Sequence, residues 1–340
     1  MNRVLIITNS LTGGGAERSM NLLANELFTR GWQISLVAIN SGPDDLVAIK
    51  CKCYCLERPW QSSFVKTLWA FIKLRRYVKL GAPDFIILNC SLPELFGAFL
   101  PGKQKVIVVE HAPFPWRNRK ILGLIIRKIL ISRGAIWVAV SSNLKIWPRR
   151  IAPIQVIENP IAVRASAKNE PFQDSRIRRL IYIGRLSDEK QPEVFLDLLE
   201  KLRIPGLIIG DGYLRAKLES HKKLKSIDAI FLGHVSNPWE NIHAGDLLVV
   251  PSAWEGDGIV ILEAVSHNTP ILVSDIIAFR SFGLNEINYC NEIEEFESRI
   301  YANLKNVENF VIPNDISEKI LRSRSLDSVA SKWEKLLIEL

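Results

Sequence analysis

The chain has 340 residues, of which 48% are hydrophobic and 24% charged, a composition typical of a folded globular protein and far from that of a disordered chain. This length allows two domains with a buried core in each. The five cysteines lack the spacing of a disulfide framework and favour a reducing, cytoplasmic compartment. No uninterrupted run of about 18 apolar residues is present, which argues against a membrane-spanning helix, and residues 4–8 are too short an apolar run for a signal peptide.

The net charge of +8 is divided unevenly along the chain. Residues 1–160 contain 22 Lys and Arg against 9 Asp and Glu, a balance of +13, whereas residues 161–340 contain 22 against 27, a balance of −5. The stretches 58–83 and 111–157 contain no acid and mix basic with aromatic side chains. Such helices suit the surface of an anionic bilayer, although a basic surface around a phosphate-binding cleft remains an open alternative. A nucleic-acid partner is disfavoured because no recognised nucleic-acid module is present.

The first half of the chain predicts alternating strands and helices. The apolar run 4–8 is followed by a turn that contains Gly13, Gly14 and Gly15. Residues 16–30 have helical periodicity, and a strand follows at 34–39. This order is typical of a βαβ unit and a parallel sheet. Further strands are predicted at 85–88, 105–109, 135–140 and 154–157. The spacing of Cys51, Cys53 and Cys55 predicts a strand with these side chains facing the core, because no other metal ligand lies near them.

A second alternating series predicts a second domain. Strands are expected at 180–183, 205–209, 227–232, 247–250 and 270–274, and helices at 191–202, 213–224 and 258–266. The polar stretch 165–179 is interpreted as a linker. We therefore expect two Rossmann-like domains, over 1–162 and 163–326. The C-terminal helix 327–340 is placed to pack back toward the first domain.

Two acids, Glu255 and Glu263, flank an apolar segment. If the interval is mostly helical, their carboxylates lie about two turns apart, ~12 Å, near one face. Because the intervening residues are apolar, Glu263 is expected to be buried and to need a partner, for which a pair of sugar hydroxyls is suited. Gly256 and Gly258 let a ligand approach the backbone, where free N–H groups at a helix start favour phosphate.

Several motifs stand in order along the whole chain. Glu255 and Glu263, followed by Ala264 and the segment 269–274, are similar to the signature of glycosyltransferase family four, a large retaining family with the GT-B fold. Five further segments resemble loops of that family: 11–18, 110–111, 184–190, 210–212 and 231–235. The resemblance implies an α/β protein with two Rossmann-like domains, whose parallel sheets face a central cleft. It also implies that the domain over 1–162 faces the acceptor and the membrane and that the domain over 163–326 binds the nucleotide-sugar.

The same resemblance implies roles for individual residues. Arg185 and Lys190 would hold the donor diphosphate, as fixed cations suited to the charge of the leaving group. Glu263 would bind the ribose, and the catalytic residues would be His111 and Glu255, near the anomeric centre and the donor sugar. The remaining implied contacts are Gly14, Gly15, Gly258 and Ile259 for the diphosphate and Gly210, His234 and Val235 for the base.

The family's chemistry is a front-face substitution with retention, in which the leaving phosphate takes the acceptor proton. The expected donor is a UDP-sugar or a GDP-sugar carrying a hexose or N-acetylhexosamine. No cofactor or metal is expected, since cations serve the diphosphate and no Asp-x-Asp motif is present. As a hypothesis, the acceptor is a lipid-linked saccharide, such as a polyprenyl-diphosphate-linked one for O-antigen or capsule. The enzyme would then be peripheral on the inner face of a bacterial cytoplasmic membrane.

Two departures and three alternatives accompany this interpretation. Asp257 stands where the family usually has an apolar or aromatic residue, and the segment 275–280 lacks the usual glycine pair, which bears on the acceptor side. A nucleotide-dependent dehydrogenase would need a G-x-G-x-x-G match, but position 18 is Arg. Another GT-B enzyme, such as a sugar-nucleotide epimerase or a phosphorylase, remains open, as does a non-catalytic membrane-surface protein.

Overall fold

The computed structural model describes residues 2–11, 14–40, 49–59, 63–149, 154–161 and 175–340. The chain divides into two compact units. Unit 1 comprises Met1–Ala162 together with Ser323–Leu340, and unit 2 comprises Val163–Arg322. Gly13 and residues 165–174 of the predicted linker lie outside the described residues. The linker was predicted too long at its other end, because Arg179 already begins a strand.

Unit 1 contains a seven-stranded sheet in which all neighbouring strands of the described residues pair in parallel. In chain order the strands are β1 (Arg3–Thr8), β2 (Gln33–Asn40), β3 (Lys52–Arg58), β4 (Phe85–Asn89), β5 (Lys105–Glu110), β6 (Ile136–Ala139) and β7 (Gln155–Val156). Their spatial order is β3-β2-β1-β4-β5-β6-β7. The connections therefore reverse direction between β1 and β4, and the carboxyl ends of these two strands border the position where open α/β sheets bind ligands.

Four helices of unit 1 cover the two faces of this sheet: α1 (Gly15–Thr29), α2 (Phe64–Gly81), α3 (Ser91–Gly97) and α4 (Lys120–Ser132). A 3-10 turn, Arg117–Arg119, precedes α4. On one face, α1 buries Met20, Leu23 and Leu27 against the sheet. On the other face, α2, α3 and α4 pack over the alternate strand residues, as period-two side-chain alternation requires. Among the described residues, no helix is long and apolar enough to cross a membrane.

The cysteine-rich strand β3 is present, but the predicted orientation of its side chains is wrong. Cys51 is buried, whereas Cys53 is exposed and Cys55 only half-buried. The core-facing residue of the strand is Leu56, which has the opposite parity. The reason is that β3 forms the edge of the sheet with β2 as its single neighbour, so its faces are covered incompletely.

Unit 2 has a six-stranded sheet, whose neighbouring strands, as far as the structure describes them, also pair in parallel. The strands are β8 (Arg179–Ile183), β9 (Gly206–Ile209), β10 (Ala229–Gly233), β11 (Asp246–Val250), β12 (Ile271–Ser274) and β13 (Tyr289–Cys290). Their order, β10-β9-β8-β11-β12-β13, repeats the outward-and-back pattern of unit 1. The reversal falls between β8 and β11, which brings the loops that follow these strands to the same edge.

The helices of unit 2 are α5 (Pro192–Leu202), α6 (Arg215–Lys225), α7 (Ile259–Ser266), α8 (Ile277–Arg280), α9 (Ile293–Ala302) and α10 (Asn314–Ser323), the last of which ends at the unit boundary. Short 3-10 turns occupy Asp188–Lys190, Pro238–Asn241, Glu286–Asn288 and Val307–Phe310. Phe195, Phe296 and Phe310 fill the core of this unit with the apolar side chains of its strands.

The C-terminal helix α11 (Leu326–Glu339) returns the chain to unit 1. The hydroxyl of Ser325 caps it by accepting from the backbone N–H of Ser328 at 3.2 Å. Trp333 and its apolar neighbours on α11 join the core that α1 also lines. Arg30 at the end of α1 donates to Glu334 at 2.7 Å and to Asp327 at 2.6 Å, so the two helices are joined by both packing and charge.

Candidate active site

The loops after β8 and β11 bring two of the predicted site residues into direct contact. Lys190, in the 3-10 turn after β8, donates from its ammonium to Oε1 of Glu255. The hydroxyl of Ser252 donates to the same oxygen at 3.1 Å. A backbone hydrogen bond of 2.9 Å from Ala253 to Glu189 ties the two loops together. The residue predicted to bind the diphosphate, Lys190, and the residue predicted to bind the donor sugar, Glu255, therefore contact one another.

Arg185 lies in the same loop, immediately after β8, and its side chain is exposed. Its carbonyl oxygen accepts a 2.9 Å hydrogen bond from the hydroxyl of Tyr182, a residue that sequence reasoning missed. Burial raises the pKa of Tyr182 well above its usual value, with the nearby Glu255 carboxylate adding to the effect. The phenol therefore remains a neutral donor that fixes the backbone carrying Arg185. Its position at the end of an apolar strand was the available signal.

The helix between Glu255 and Glu263 begins later than the sequence pattern predicts. Helix α7 starts at Ile259, and Gly258 precedes it with φ +80° and ψ 48°, in the left-handed region. A Cβ on Gly258 would lie 2.8 Å from Phe279, so glycine is required there both for space and for conformation. Glu255 consequently lies in the loop and does not share a helical face with Glu263. Ile259 therefore begins α7, and the first backbone N–H groups of a helix are a position that favours anions.

Glu263 is half-buried rather than buried, which corrects the prediction for this carboxylate. It projects from α7 toward Trp239, whose indole N–H donates to Oε2 at 3.2 Å. The indole ring stacks on His267, with ring centroids 4.6 Å apart and an interplanar angle of 11°. The sequence pattern did not predict a partner for Glu263 within the protein, because Trp239 is 24 residues away, in the 3-10 turn Pro238–Asn241.

The glycine predicted at the base-binding loop is explained by close backbone packing. Gly210 follows β9 with φ +139°, and a Cβ there would lie 1.9 Å from the carbonyl oxygen of Gly184. Its N–H donates to the carbonyl of Gly233 at 2.7 Å. Strand β10 ends at this contact, and His234 follows it with an exposed side chain, while Val235 is half-buried. The loops after β8, β9 and β10 therefore meet at one edge of the sheet.

In unit 1, Gly14 and Gly15 open α1, with Gly14 as the capping residue. The amide of Asn89, at the end of β4, donates to the hydroxyl of Thr8 at 3.2 Å and to the carbonyl of Ala16 at 3.3 Å. Because a carbonyl can only accept, these bonds fix the orientation of the amide, and its oxygen faces His111 at 2.5 Å. His111 thus donates from Nε2, and Nδ1 carries the lone pair.

Burial lowers the pKa of His111 to about 4, so the imidazole is neutral near pH 7. Asn89, which sequence reasoning missed, holds this histidine beside the start of α1. The signal for Asn89 was a polar residue at the carboxyl end of a predicted strand, the position that ligand sites favour in parallel sheets. The structure therefore brings His111, Asn89 and the start of α1 together at one edge of the unit 1 sheet.

A buried charge cluster, also missed, lies directly behind His111. Arg127 of α4 donates to Glu94 at 2.7 and 2.8 Å and to Glu110 at 2.6 Å, and all three side chains are almost fully buried. The indole N–H of Trp116 adds a 3.0 Å bond to Glu94. Burial raises the pKa of Glu110 to about 7, although the adjacent guanidinium opposes the shift. Glu110 is the last residue of β5, so the cluster anchors the strand end that carries His111.

Among the described residues, one group of side chains brings metal-capable atoms close together: Asp197, Glu200 and His221. These residues lie on α5 and α6, and none of them belongs to the strand-end loops that carry the predicted site residues. The ammonium of Lys225 donates to the carboxylate of Glu200 at 3.1 Å and offsets its negative charge.

Two α/β units with parallel sheets of this strand order, each carrying its predicted site residues at strand ends, define a GT-B protein. The structure of HepE from Anabaena, solved with UDP and glucose, has the same fold. Its TM-score is 0.80 at 15% identity, and the match covers 100% of both chains. The predicted fold class is confirmed.

Sequence comparisons identify the family. The model described as "Glycosyltransferase Family 4" matches residues 13–164, and the model described as "Glycosyl transferases group 1" matches residues 164–286. The chain is 28% identical to UDP-Gal:α-D-GlcNAc-diphosphoundecaprenol α-1,3-galactosyltransferase of Escherichia coli, over 95% of this chain and 92% of the relative. It is 26% identical to an α-1,4-N-acetyl-D-galactosaminyltransferase of Campylobacter jejuni, whose name specifies a saccharide on PP-undecaprenol, over 78% and 77%. The chain belongs to glycosyltransferase family four, and the predicted family is confirmed.

Proposed function

We propose that this glycosyltransferase transfers a hexose or N-acetylhexosamine from a nucleoside diphosphate sugar to a lipid-linked saccharide, with retention at the anomeric carbon. The observation that carries the proposal is the Lys190–Glu255 contact between the loops after β8 and β11. It combines a cation suited to a diphosphate with a carboxylate suited to sugar hydroxyls. The donor nucleotide is UDP by preference, as in the name of the Escherichia coli relative, with GDP as the second candidate.

The diphosphate is assigned to the cations and the helix starts. Arg185 and Lys190 supply positive charge that stabilises the leaving group as its bond to the sugar breaks. The backbone N–H groups at Gly258 and Ile259 add donors at the start of α7, and Gly14 and Gly15 do so at the start of α1. Donor binding would place a diphosphate beside Lys190, a second anionic partner for an ammonium that already contacts Glu255.

The proposed reaction is a substitution at the anomeric carbon with retention of configuration. The bond between this carbon and the diphosphate oxygen breaks, an acceptor hydroxyl forms the new bond on the same face, and the hydroxyl proton passes to the leaving phosphate. Glu255 is assigned to the donor sugar and Glu263 to the ribose. His111 is neutral because burial lowers its pKa to about 4, so it acts as a hydrogen-bonding group and carries no charge to the reacting centre.

The base and the metal requirement are assigned on the same grounds. Gly210, His234 and Val235 are assigned to the base, since their loops lie next to the one that carries Arg185. Arg185 and Lys190 supply the positive charge that a metal ion gives to a diphosphate in other enzymes. The reaction is therefore proposed to be independent of metal ions and cofactors, and activity should persist in excess EDTA.

The acceptor side is assigned to unit 1 and to a membrane surface. Helix α2 buries Ala70, Leu74 and Val78, yet its opposite face is also apolar, with Trp69 61% and Phe64 82% exposed. Further exposed side chains on this helix are Val65, Leu68, Ile72, Lys66, Lys73, Arg75, Arg76 and Lys79. An outward apolar face bordered by cations, without acids, fits an anionic bilayer. The acceptor named for both relatives is linked to undecaprenol through a diphosphate, and we place this chain on the cytoplasmic face of such a membrane.

The first test is donor binding followed by product analysis. Purified protein is screened by thermal shift against UDP-sugars and GDP-sugars, because a ligand that binds the folded state raises the melting temperature. Lys190→Ala should abolish the shift, whereas Lys217→Ala, a change at a more exposed lysine that pairs with Glu193, should leave it intact. Transfer to a polyprenyl-diphosphate-linked saccharide should yield an α-linked product from an α-linked donor. An inverted product, epimerised donor or absence of any donor shift would overturn the proposal.

A further inference from the structure

We propose that Trp239 is a positioning residue that orients the carboxylate of Glu263 for the ribose hydroxyls of the donor nucleotide. The inference rests on the proposed ribose-binding function of Glu263. Trp239 lies in the 3-10 turn Pro238–Asn241, between β10 and β11, and only 8% of it is exposed. Its indole N–H donates to Oε2 of Glu263 at 3.2 Å, across 24 residues of sequence.

The indole is itself held in place by the end of α7. Its ring stacks on His267 at 4.6 Å between centroids and an angle of 11°. Nδ1 of His267 lies 2.8 Å from the carbonyl oxygen of Glu263, and since a carbonyl only accepts, Nδ1 carries the proton. The backbone N–H of His267 donates to the same oxygen at 3.1 Å. Trp239 therefore contacts the Glu263 side chain directly and the Glu263 backbone through His267.

This arrangement restricts the rotation of the Glu263 side chain. A half-buried glutamate loses considerable rotamer freedom when it binds a ligand, and fixing it beforehand reduces that loss. A carboxylate accepts several hydrogen bonds, so an N–H on Oε2 is compatible with acceptance from sugar hydroxyls. Tryptophan suits this task because its indole N–H only donates and its ring is rigid. The 3-10 turn thereby connects the loop after β10 to the Glu263 carboxylate, which is assigned to the ribose.

The test separates positioning of Glu263 from general packing. Dissociation constants are measured by calorimetry for UDP and 2′,3′-dideoxy-UDP, or for the GDP pair if the screen identifies GDP. The variant is Trp239→Phe, which keeps an aromatic ring over His267 and removes the N–H. We expect UDP to bind the variant about tenfold more weakly, whereas the dideoxy analogue, which lacks both hydroxyls, binds wild type and variant within about twofold.

A matched control is available in unit 1. The indole N–H of Trp32 donates to Oε1 of Glu334 at 2.8 Å, so Trp32→Phe removes the same kind of bond from a carboxylate that has no assigned role in the donor site. This control should leave the dissociation constants of both nucleotides unchanged. A loss with Trp32→Phe equal to that with Trp239→Phe would show a general effect of weakened folding and would overturn the inference.

The outcomes also separate this inference from the function on which it rests. If wild type binds the nucleotide and its dideoxy analogue equally, the ribose role of Glu263 fails. If wild type prefers the ribose form and Trp239→Phe keeps the whole preference, or loses affinity for both ligands equally, the positioning role fails. Should the variant not fold, the indole ¹⁵N–H resonance of Trp239 in wild type is used: it should shift with UDP much more than with dideoxy-UDP, and equal shifts would overturn the inference.

Discussion

The sequence predicts Lys190 and Glu255 individually as site residues, but it does not predict the contact between them. Each residue could be singled out from its local motif, a basic residue in a turn after a strand and an acid in a glycine-containing loop. Their contact joins positions 65 apart in sequence, and it depends on β8 and β11 being neighbours in the sheet. The order of strands in the sheet cannot be derived from one sequence alone, so the contact between Lys190 and Glu255 could not be predicted.

The cluster of Arg127, Glu94 and Glu110 was also not predicted, because it too depends on contacts between residues distant in sequence. In the sequence, Arg127 merely interrupts an apolar run in a basic stretch, and the two acids stand 33 and 17 residues before it. Burial of the carboxyl group is the main physical cause of the raised pKa of Glu110, and the neighbouring carboxylate of Glu94 adds to it. Desolvation depends on tertiary packing, which local sequence patterns do not report.

The lowered pKa of His111 predicts a specific dependence of stability on pH. Its folded-state pKa is about 4, below the usual unfolded value of about 6.5, so between these values the unfolded chain binds the proton more readily. The stability contributed by neutral His111 is therefore complete above pH 6.5 and declines as the pH falls toward 4. The free energy of unfolding of wild type and His111→Gln, measured by urea denaturation, should accordingly diverge in slope across this window.

The difference between the two proteins is the informative quantity. Glu110 has a folded pKa near 7, above its unfolded value, so its contribution is present at low pH and is lost as the pH rises from about 4.5 to 7. That opposite contribution largely cancels when variant and wild type are compared at each pH. An NMR titration midpoint of His111 at or above 6, or parallel stability curves, would contradict the assignment.

At the scale of elements, strands were predicted better than helix ends. The central strands of both sheets are continuous β-branched runs, because parallel strands are buried on both faces. The start of α7 was predicted one residue early, and its predecessor Gly258 adopts a left-handed conformation that breaks the helical pattern. The two-residue strand β13 was not predicted, since Tyr289 and Cys290 offer too little pattern to recognise.

Helix α11 should contribute strongly to the stability of unit 1. Trp333 is 2% exposed and packs in the core shared with α1, so Trp333→Ala should cost about 3–5 kcal/mol by loss of burial and creation of a cavity. Because two units need not unfold together, the change is measured by amide hydrogen exchange of β1 and β2 in unit 1. Exchange there should accelerate markedly, with β8 and β9 of unit 2 as an internal reference.

The matched control lies on the same helix. Ile338 is 73% exposed, so Ile338→Ala should change the free energy of unfolding by less than about 0.5 kcal/mol. If both variants leave the exchange of β1 and β2 unchanged, α11 does not stabilise unit 1. If Ile338→Ala is as costly as Trp333→Ala, the loss of stability does not come from the core contact of Trp333, because alanine itself favours the helix.

For the whole molecule, the alternation of strands and helices was sufficient to predict two parallel α/β units and hence the fold class. Their strand orders follow the general preference for right-handed crossovers and an outward-and-back winding. The return of residues 323–340 to unit 1 depends on the contacts of Arg30 and Trp333, which are remote in sequence from the elements they join. Local patterns identified the helix itself, and its packing toward the first domain was an expectation, whereas the contacts that hold it in unit 1 required the tertiary structure.

The uneven charge of the chain and the outward apolar face of α2 are two separate contributions to the proposed binding of a membrane surface. In the proposed membrane-facing role of unit 1, the balance of +13 in residues 1–160 would attract an anionic surface over a distance set by ionic strength, whereas Trp69 and Ile72 would contribute apolar contact once the surface is reached. Two contributions of different range make separable predictions. Salt should weaken the electrostatic part, and substitution of the apolar residues should weaken binding at every salt concentration.

Co-sedimentation with vesicles tests both contributions. Wild type should bind vesicles containing anionic phospholipid, bind neutral phosphatidylcholine vesicles at least about tenfold more weakly, and lose most of its binding between about 0.1 and 0.5 M salt, as the Debye length shortens. The double variant Trp69→Ser with Ile72→Ser should reduce binding about tenfold at low salt, since it removes the apolar contact and leaves every cation of α2 in place. The control Leu224→Ser with Tyr301→Ser removes two comparably exposed apolar side chains from unit 2 and should leave binding unchanged. Equal binding to neutral and anionic vesicles would remove the electrostatic role of unit 1, and equal losses in the two double variants would remove the specific role of α2.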